Sequence, residues 1–335
     1  MSKKQILIVG GAGYVGGHLV DLLQEDCVPG ILPKKYDVTV YDNLLYEERY
    51  LKPVNFVHGD VRDWEKLKNL ELNKYDAVIW LAAVVGDGAC AVNTEYTKEV
   101  NVDSLKWLVD HYDGKIIYMS TCSVYGINPQ LLTETSETNP LSLYARTKLD
   151  CEAYIKERHD DWLIFRLGTL HGVGDTYSRP RLDLVVNILS YKAATGQPLS
   201  VFGGEQWRPL LHVKDVGNAI LFGLNKQING LHNLVDENHT IAEVAEKIKE
   251  IIPNTQIAHE DIPFEDLRDY RVKRSNFNKL GFEPQFSLED AVIEMRDLFY
   301  QKRLLNPENP IYYNVNYMRE LEEKGKLNEF PHKIN

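Results

Sequence analysis

Cysteine is scarce in this chain of 335 residues, which has four in all, and none of them shows the spacing of a zinc site. We therefore expect reduced thiols and no metal site, as in cytosolic proteins. Long hydrophobic runs are missing as well, since none approaches the roughly 20 residues of a membrane span. The first apolar run is broken at Gly10, too soon for a signal peptide. These absences predict a cytoplasmic protein with no membrane partner.

Basic residues are outnumbered, because 38 Lys and Arg stand against 49 Asp and Glu and give a formal net charge of −11. This charge argues against non-specific binding of nucleic acid and against docking on anionic lipid, which both require a positive surface. Internal repeats and low-complexity segments are also lacking. The remaining composition, 44% hydrophobic and 26% charged, is that of a folded globular protein of one large or two modest domains.

Short apolar or β-branched runs alternate with helical patterns up to about residue 168, which predicts βαβ units and a parallel sheet. We expect strands over residues 5–10, 37–41, 55–57, 77–81, 115–119 and 162–167, and helices over residues 15–24, 64–72, 95–110 and 143–158. Beyond residue 168, Gly and Pro become frequent and capping boxes at Thr240 and Ser287 open two later helices. We therefore divide the chain into residues 1–168, residues 169–305 with the chain free to cross back, and an irregular extension over residues 306–335.

A glycine-rich turn follows the first predicted strand and opens the first helix. Glycines at such a turn let the backbone approach a pyrophosphate, which then lies at the N-terminus of the helix. A merely structural turn is the alternative, and the position between strand and helix argues against it. The motif predicts dinucleotide binding by Gly10, Gly13, Tyr14, Val15 and Gly16.

Asp42 ends the second predicted strand and is followed by Asn43. A carboxylate here accepts hydrogen bonds from the adenosine ribose and repels a 2′-phosphate, so that NAD is favoured over NADP. The alternative, an Asp-Asn pair that only forms a turn, stays open. Residues 27–36 are interpreted as the loop that lengthens the spacing between the glycines and Asp42.

Thr121 follows the fifth predicted strand, and Tyr144 and Lys148 come next on a predicted helix. Tyr and Lys four residues apart face the same side of a helix. The ammonium of Lys148, together with a cationic nicotinamide, is expected to lower the pKa of the tyrosine. Tyr144 would then act as general base for a substrate hydroxyl that Thr121 holds, while Lys148 also binds the nicotinamide ribose.

These motifs resemble, in this order, those of the extended short-chain dehydrogenase/reductases, above all their nucleotide-sugar epimerase/dehydratase branch. GGAGYVG, DNL, HGD, LAA, STCSVYG and YxxxK carry the resemblance, which runs from about residue 4 to residue 302. It implies an α/β fold with a Rossmann-type doubly wound parallel sheet that holds NAD. A smaller mixed α/β C-terminal part would bind the nucleotide-sugar substrate. It also implies a homodimer through the helices over residues 95–110 and 143–158.

The resemblance assigns further cofactor contacts residue by residue. Asn101 matches the asparagine that buttresses the active site and is counted with the cofactor-binding residues. The positions expected to border the adenine and the adenosine are Asp60, Val61, Leu81, Ala82 and Ala83.

Substrate contacts are expected in the second part of the chain. Arg208 matches the arginine that meets the substrate's diphosphate, which suits a planar guanidinium, and Arg268 matches a second phosphate arginine. The run over residues 178–183 is expected to line the same cleft, with a solvated ion pair as the alternative for Arg179 and Arg181. Thr169 and His171 stand where many related 4-epimerases have an asparagine, so they are expected near the sugar. Whether His171 is an acid–base group or a hydrogen-bonded loop histidine stays open.

Two positions after Thr121 bear on the reaction. The 4,6-dehydratases of the branch have Asp and Glu there as acid and base, whereas this chain has Cys122 and Ser123. Dehydration is therefore disfavoured, and Cys122 is interpreted as a small residue that lines the cleft. We expect hydride transfer between NAD and C4 of a nucleotide sugar through a 4-keto intermediate, with 4-epimerisation as the leading outcome.

Three alternatives stay open beside the epimerase. The run over residues 181–187 resembles a sub-branch that includes GDP-heptose 4-dehydrogenases, so net oxidation is a near rival. A 4-ketoreductase would run the half reaction in reverse, but such enzymes often prefer NADPH, which Asp42 disfavours. A non-catalytic NAD-binding protein has no need of the Thr, Tyr and Lys set. The sequence predicts neither the nucleotide nor the sugar.

Overall fold

The computed structural model describes residues 3–25, 35–260 and 269–329 of the chain. The strands are β1 (Lys4–Val9), β2 (Tyr36–Asp42), β3 (Asn55–His58), β4 (Ala77–Trp80), β5 (Lys115–Thr121), β6 (Ile127–Leu132), β7 (Trp162–Leu167), β8 (Thr169–His171), β9 (Leu199–Phe202), β10 (Trp207–His212), β11 (Gly230–Leu234), β12 (Glu237–Thr240), β13 (Ile257–Glu260) and β14 (Asp269–Val272). The helices are α1 (Gly16–Glu25), α2 (Trp64–Lys68), α3 (Asp87–Val92), α4 (Thr94–Lys98), α5 (Ser104–His111), α6 (Leu143–Arg158), α7 (Val185–Ala194), α8 (Val213–Lys226), α9 (Ile241–Ile251), α10 (Asn276–Lys279), α11 (Leu288–Tyr300) and α12 (Asn314–Glu323). In the described part of the chain, no helix is long and apolar enough to cross a membrane.

The main sheet has the strand order β11-β7-β5-β4-β1-β2-β3, and each neighbouring pair runs parallel. The order reverses between β1 and β4, because the chain builds the sheet outward from β1 in both directions. Open α/β sheets bind ligands at such a switch point, beyond the carboxyl ends of the strands. The predicted doubly wound α/β fold is confirmed.

Both faces of the main sheet are covered by helices, which explains the near-continuous apolar runs of its strands. In the central strand β1, Ile6 and Ile8 pack with α1 and α8 on one face. Leu7 and Val9 point to the other face, where α3, α5 and α6 lie. Successive side chains of a strand alternate between faces, so four consecutive apolar residues supply two cores at once.

The second part of the chain has a core of its own, formed by α7, α9 and α11 with β9 and β10. Capping boxes at Thr240 and Ser287 open α9 and α11, as predicted. Strand β11 returns to the main sheet and pairs with β7, so the chain does cross back between the two parts. The division at residue 168 itself stays a prediction.

The extension after residue 306 is not wholly irregular, and the prediction was wrong for residues 314–323, which form helix α12. Met318 and Leu321 of this helix, and Leu327 after it, are buried in the same core as α3. Met318 and Leu321 are three residues apart and therefore lie on one face of the helix, and that face packs into the core formed with α3, α5 and α6.

A buried ion pair fixes helix α6 beneath the carboxyl end of β5. The carboxylate of Glu152 accepts hydrogen bonds from Arg166 of β7 at 2.9 and 2.7 Å and from Ser120 of β5 at 2.5 Å. Burial by itself raises the pKa of Glu152, but the hydrogen bonds and charge of Arg166 outweigh it and hold this pKa below its ordinary value. Because Ser120 directly precedes Thr121, the pair also fixes the position of Thr121.

Replacing Glu152 with alanine should lower the free energy of unfolding by about 3–5 kcal/mol, because Arg166 would stay buried without its carboxylate. Glu157→Ala, at an exposed glutamate of the same helix, is the control and should cost less than about 0.5 kcal/mol. Urea denaturation followed by circular dichroism measures both variants. The pair's contribution should be present at neutral pH and lost as the pH falls through the lowered pKa of Glu152. Equal stability of the two variants at neutral pH would contradict this account.

Candidate active site

A cavity of about 300 Å³ opens beyond the carboxyl ends of β1, β2, β4, β5 and β7, at the switch point of the sheet. Both parts of the chain line it. Of the residues predicted from the sequence, the lining includes Gly10, Gly13, Tyr14, Val15, Asp42, Asn43, Asp60, Val61, Leu81, Ala82, Ala83, Thr121, Tyr144, Lys148, Thr169 and Arg181. The structure therefore brings most of the predicted site together.

The glycine-rich loop has two positions that only glycine fits. Gly10 has a φ of +84°, and a Cβ there would lie 2.4 Å from the backbone nitrogen of Ala82. A Cβ on Gly16 would lie 2.4 Å from the carbonyl oxygen of Gly11, and Gly16 does not line the cavity. Glycine at this position therefore allows the start of α1 to pack closely on the loop. The cofactor contact predicted for Gly16 does not fit this placement. At Gly13 a Cβ would meet only the carbonyl oxygen of Gly10, at 3.4 Å, so this position leaves a cradle open to the cavity.

Acidic and amide side chains line the cavity beyond β2 and β3. The carboxylate of Asp42 accepts hydrogen bonds from the backbone nitrogens of Ala12 at 3.0 Å and Leu44 at 2.8 Å. Burial raises the pKa of Asp42, and the two backbone hydrogen bonds oppose that shift. Asn43 donates to the carboxylate of Asp60 at 3.3 Å. Asp42 thus ties the glycine loop to the end of β2; the predicted loop over residues 27–36 lies largely outside the described residues.

The predicted catalytic residues meet where β5 ends and α6 begins. Thr121 lies close enough to Tyr144 for its hydroxyl to lower the pKa of the phenol. Lys148 lies one turn after Tyr144 on α6, donates to the carbonyl of Met119 at 2.9 Å, and places its ammonium 6.0 Å from the centre of the Tyr144 ring. The side chain of Ser142 caps α6 just before Tyr144 by accepting from the backbone nitrogen of Ala145.

Burial dominates the acid–base properties of these groups. It raises the pKa of Tyr144 above its ordinary value, against the lowering effects of Arg181 and of the Thr121 hydroxyl. The lowered tyrosine pKa predicted from the sequence is therefore wrong for these side chains alone. Burial also lowers the pKa of Lys148 to about 8, which still leaves the ammonium form predominant at neutral pH.

Asn101 supports the cavity wall from behind and does not line it. Its side chain accepts from the backbone nitrogen of Val84 at 2.8 Å and donates to the carbonyl of Val84 at 2.9 Å, and Val84 lines the cavity. Residues 99–103 form a π-helical turn between α4 and α5, which interrupts the single helix predicted over residues 95–110. The predicted buttressing role fits this geometry, whereas a direct cofactor contact does not.

His171 and Arg208 do not line the cavity. His171 is 2% exposed at the end of β8, with its ring centre 5.4 Å from that of His212. Burial holds its pKa well below the ordinary value, and Nδ1 has no hydrogen-bond partner among the described residues. The two interpretations of His171 stay predictions. Arg208 is buried on β10, donates to the carbonyl of Trp207 at 3.0 Å, and does not line the cavity. Arg268 lies outside the described residues.

The structure adds wall residues that the sequence analysis did not assign. Tyr46 and Glu47 follow the DNL motif and line the cavity, and the guanidinium of Arg179 lies 3.8 Å from the centre of the Tyr46 ring. Burial raises the pKa of Glu47 to about 7, while the backbone nitrogen of Arg179 donates to its carboxylate at 2.7 Å. The sequence signal that could have identified Tyr46 and Glu47 was their position shortly after the DNL motif.

A short run of hydroxyl groups leads from Thr121 to the second part of the chain. Thr121 donates to the hydroxyl of Ser123 at 3.1 Å, and the hydroxyls of Ser123 and Tyr270 lie 3.4 Å apart. Ser123 and Tyr270 both line the cavity. The set carries neutral side chains, so it can orient a substrate hydroxyl but offers no carboxylate for acid–base work.

Cys122 points away from the cavity, so the interpretation of it as a cleft-lining residue was wrong. Its thiol donates to the carbonyl of Arg166 at 3.3 Å, and burial raises its pKa. Cys90 and Cys151 are also buried free thiols, whereas Cys27 lies outside the described residues. Within the described ranges, no three His, Cys, Asp or Glu side chains are grouped so that they could hold a metal ion.

Comparisons with known proteins agree with this geometry. The model of the NAD dependent epimerase/dehydratase family matches residues 6–235. The chain is 29% identical to a putative UDP-glucose 4-epimerase of Methanocaldococcus jannaschii, over 86% of this chain and 95% of that protein. It is 28% identical to UDP-glucuronic acid decarboxylase 1 of Danio rerio, over 87% of this chain and 71% of that protein. The crystal structure of UDP-glucose 4-epimerase from Thermotoga maritima with UDP-glucose shares the fold, with a TM-score of 0.76 at 24% identity over 90% of this chain and 100% of that one.

Alkylation of the native protein tests the placement of Cys122. Iodoacetamide at about pH 8 should leave Cys122 unmodified, because a buried thiol with a raised pKa provides little accessible thiolate. Peptide mass spectrometry after short exposures measures the modification, and the urea-unfolded protein is the control in which Cys122 should react. Labelling of Cys122 at equal rates in the two states would contradict a thiol turned away from the cavity.

Proposed function

Because the chain belongs to the NAD-dependent epimerase/dehydratase family of nucleotide-sugar enzymes, we propose that it binds NAD and interconverts a nucleotide sugar with its C4 epimer. The observation that carries the proposal is the meeting of Thr121, Tyr144 and Lys148 in a cavity that both parts of the chain line. Relatives named as 4-epimerases support this choice of reaction. The homodimer implied by the sequence resemblance stays a prediction.

The residues around the switch point fit NAD. The open cradle at Gly13 and the N-terminus of α1 suit a pyrophosphate, since the first amides of a helix bind anions. Asp42 and Asn43 provide oxygen and amide groups for a ribose, and Asp60 and Val61 provide a wall for the adenine. When bound, NAD would supply the nicotinamide ring that accepts and returns a hydride. No other group is needed for the redox step.

Tyr144 is the residue that would take the proton from the C4 hydroxyl of the sugar, and Thr121 would hold that hydroxyl through a hydrogen bond. A buried phenol ionises reluctantly, so this step depends on positive charge nearby. Two cationic side chains provide it. The ammonium of Lys148 lies 6.0 Å from the centre of the Tyr144 ring, and the charge of Arg181 lowers the pKa of the phenol. Tyr144 would return the proton to the same oxygen once the hydride has been returned to the other face of C4.

Removal of water or other acid–base chemistry away from C4 has little support in this site. Cys122 is buried with its thiol turned to the carbonyl of Arg166, and Ser123 is hydrogen-bonded to Thr121. Neither supplies the carboxylate pair by which the dehydratases of the branch remove water. The chain's own groups therefore favour a reaction that begins and ends at C4.

The experiment that tests the function is proton NMR of the purified protein with a panel of UDP-, dTDP-, GDP- and CDP-sugars and no added cofactor. Absorbance at 340 nm is followed in the same samples, since reduced cofactor absorbs there. We expect one sugar to convert over many turnovers into an isomer of unchanged mass without lasting NADH. Stoichiometric NADH with a 4-keto product would instead show a net dehydrogenase, and loss of water or CO₂ would show another reaction of the family. Either result would overturn the 4-epimerase proposal.

Tyr144→Phe is expected to lower kcat by about 10²–10⁴-fold, because it removes the general base and keeps the ring. Tyr154→Phe on the same helix is the control, since the Tyr154 hydroxyl is bonded to Asp110 on the surface and should leave turnover unchanged. Steady-state rates and NAD binding are measured for both. Turnover that survives in Tyr144→Phe would contradict the mechanism, whereas loss of NAD binding would indicate a folding defect.

The charge of Asp42 predicts the cofactor preference. A carboxylate at the ribose position repels a 2′-phosphate, so the protein freed of nucleotide should bind NAD about tenfold or more tightly than NADP. Calorimetric titration measures the two dissociation constants. Equal affinities would show that Asp42 does not meet the ribose and serves only to tie the glycine loop to β2.

A further inference from the structure

The C-terminal extension lies beyond the end of the sequence resemblance, yet it contacts the wall of the cavity. Residues 178–184 bring Arg179 and Arg181 to that wall. The backbone nitrogen of Leu182 donates to the carbonyl of Tyr312 at 3.0 Å, and the guanidinium of Arg179 donates to the carbonyl of Ile311 at 2.8 Å. The extension therefore holds the arginine-bearing segment through backbone acceptors that any sequence would offer.

Asn314, the first residue of α12, adds contacts that depend on its side chain. It is 1% exposed. Its amide oxygen accepts from Arg179 at 2.5 Å, and its amide nitrogen donates to the carbonyl of Val85 at 3.0 Å. Its backbone nitrogen donates to the carboxylate of Asp183 at 3.1 Å. Val85 belongs to the N-terminal domain and Arg179 to the second part, so one side chain joins the two walls of the cavity.

Asp183 connects Asn314 to the second arginine, Arg181, because its carboxylate is bonded to both residues. Arg181 donates to the two oxygens of Asp183 at 2.7 and 2.9 Å, a bidentate geometry that fixes the plane of the guanidinium. Arg181 in turn lies near enough to Tyr144 for its charge to oppose the rise in the pKa of that phenol. Asn314 thus touches neither the catalytic residues nor the expected substrate, and acts through Arg179 and Asp183.

Two guanidinium groups held side by side repel each other, and burial and the charge of Arg181 lower the pKa of Arg179 to about 10. Of these two arginines, Arg181 is the one whose guanidinium makes a bidentate contact with a described carboxylate, that of Asp183. Arg179 is instead held by the neutral oxygens of Asn314 and Ile311 and by the ring of Tyr46. The guanidinium of Arg179 thus has no direct hydrogen bond to a carboxylate in the described part of the chain, and Asp183 and Glu47 act on it only through their nearby charge. Its donors at the cavity wall suit an anionic nucleotide sugar.

The extension is anchored well enough to act as a fixed support. Met318 and Leu321 of α12 are buried in the core of the N-terminal domain. At its far end, the guanidinium of Arg62 donates to the carbonyls of Leu327 and Glu329, both at 3.2 Å. Arg62 also pairs with Asp60, which lines the expected adenine side of the cavity. The extension therefore contacts residues behind both the substrate side and the cofactor side.

We propose that residues 306–329 are a strap that completes the active site, and that Asn314 is the positioning residue that holds the segment over residues 178–184 against the N-terminal domain. The kinetic part of this proposal rests on the proposed function, because it requires turnover of a nucleotide sugar. The structural part does not.

The test compares Asn314→Ala with Asn316→Ala, a matched control at an exposed asparagine two residues along the same helix. Asn314→Ala should lower kcat/KM for the nucleotide sugar by about 10- to 100-fold, mainly through a higher KM, with NAD affinity unchanged. Amide hydrogen exchange of residues 178–184 should become faster in Asn314→Ala only. A variant that merely folds less well would instead lose kcat per amount of protein at an unchanged KM.

The outcomes separate the strap from the proposed function. Equal kinetics and equal exchange in the two variants would overturn the role of Asn314. Faster exchange of residues 178–184 with an unchanged KM would also overturn it, because the segment would then move without effect on the substrate. If the wild-type protein turned over no nucleotide sugar, the proposed function would fail, and the exchange comparison would still decide whether Asn314 holds the segment.

Discussion

The burial of the Tyr144 phenol is the constraint on which the rest of the site depends. Burial opposes ionisation, so a buried tyrosine serves as a base only where positive charge compensates for lost water. Lys148 stays largely cationic at neutral pH despite its own burial, and Arg181 adds a second charge from the other part of the chain. Proton transfer by Tyr144 therefore requires the segment that carries Arg181, after residue 168, to be in place.

The fold meets this requirement through a series of supports behind the cavity wall. The Glu152–Arg166 pair fixes the end of β5 and so the position of Thr121, while Asn101 holds Val84 at the end of β4. On the opposite wall, Asn314 holds the segment that presents the two arginines. These residues are buried and polar, and each satisfies its hydrogen bonds within the protein, which makes them a rigid frame.

Local patterns were sufficient to predict the parallel sheet, the glycine-rich turn and the set of Thr121, Tyr144 and Lys148, because strand ends and helix spacing determine where such side chains go. The family inferred from the ordered motifs is confirmed. The direction in which a single side chain points is a tertiary property, so the burial of Cys122 and His171 away from the cavity could not be predicted from sequence. The shift in the pKa of Tyr144 was predicted in the wrong direction for the same reason, because the burial that raises this pKa depends on the whole fold. Helix α12 was missed because its apolar spacing lies within a polar, Asn-rich segment.

The fate of deuterium placed at C4 of the accepted nucleotide sugar tests the central claim most directly. If the reaction begins and ends at C4, the hydride that leaves C4 is the one that returns to it. Both epimers should therefore keep the deuterium at C4 through many turnovers. NMR and mass spectrometry of the product locate the label. Deuterium found at C6, or lost from the sugar to reduced cofactor, would contradict a reaction that begins and ends at C4.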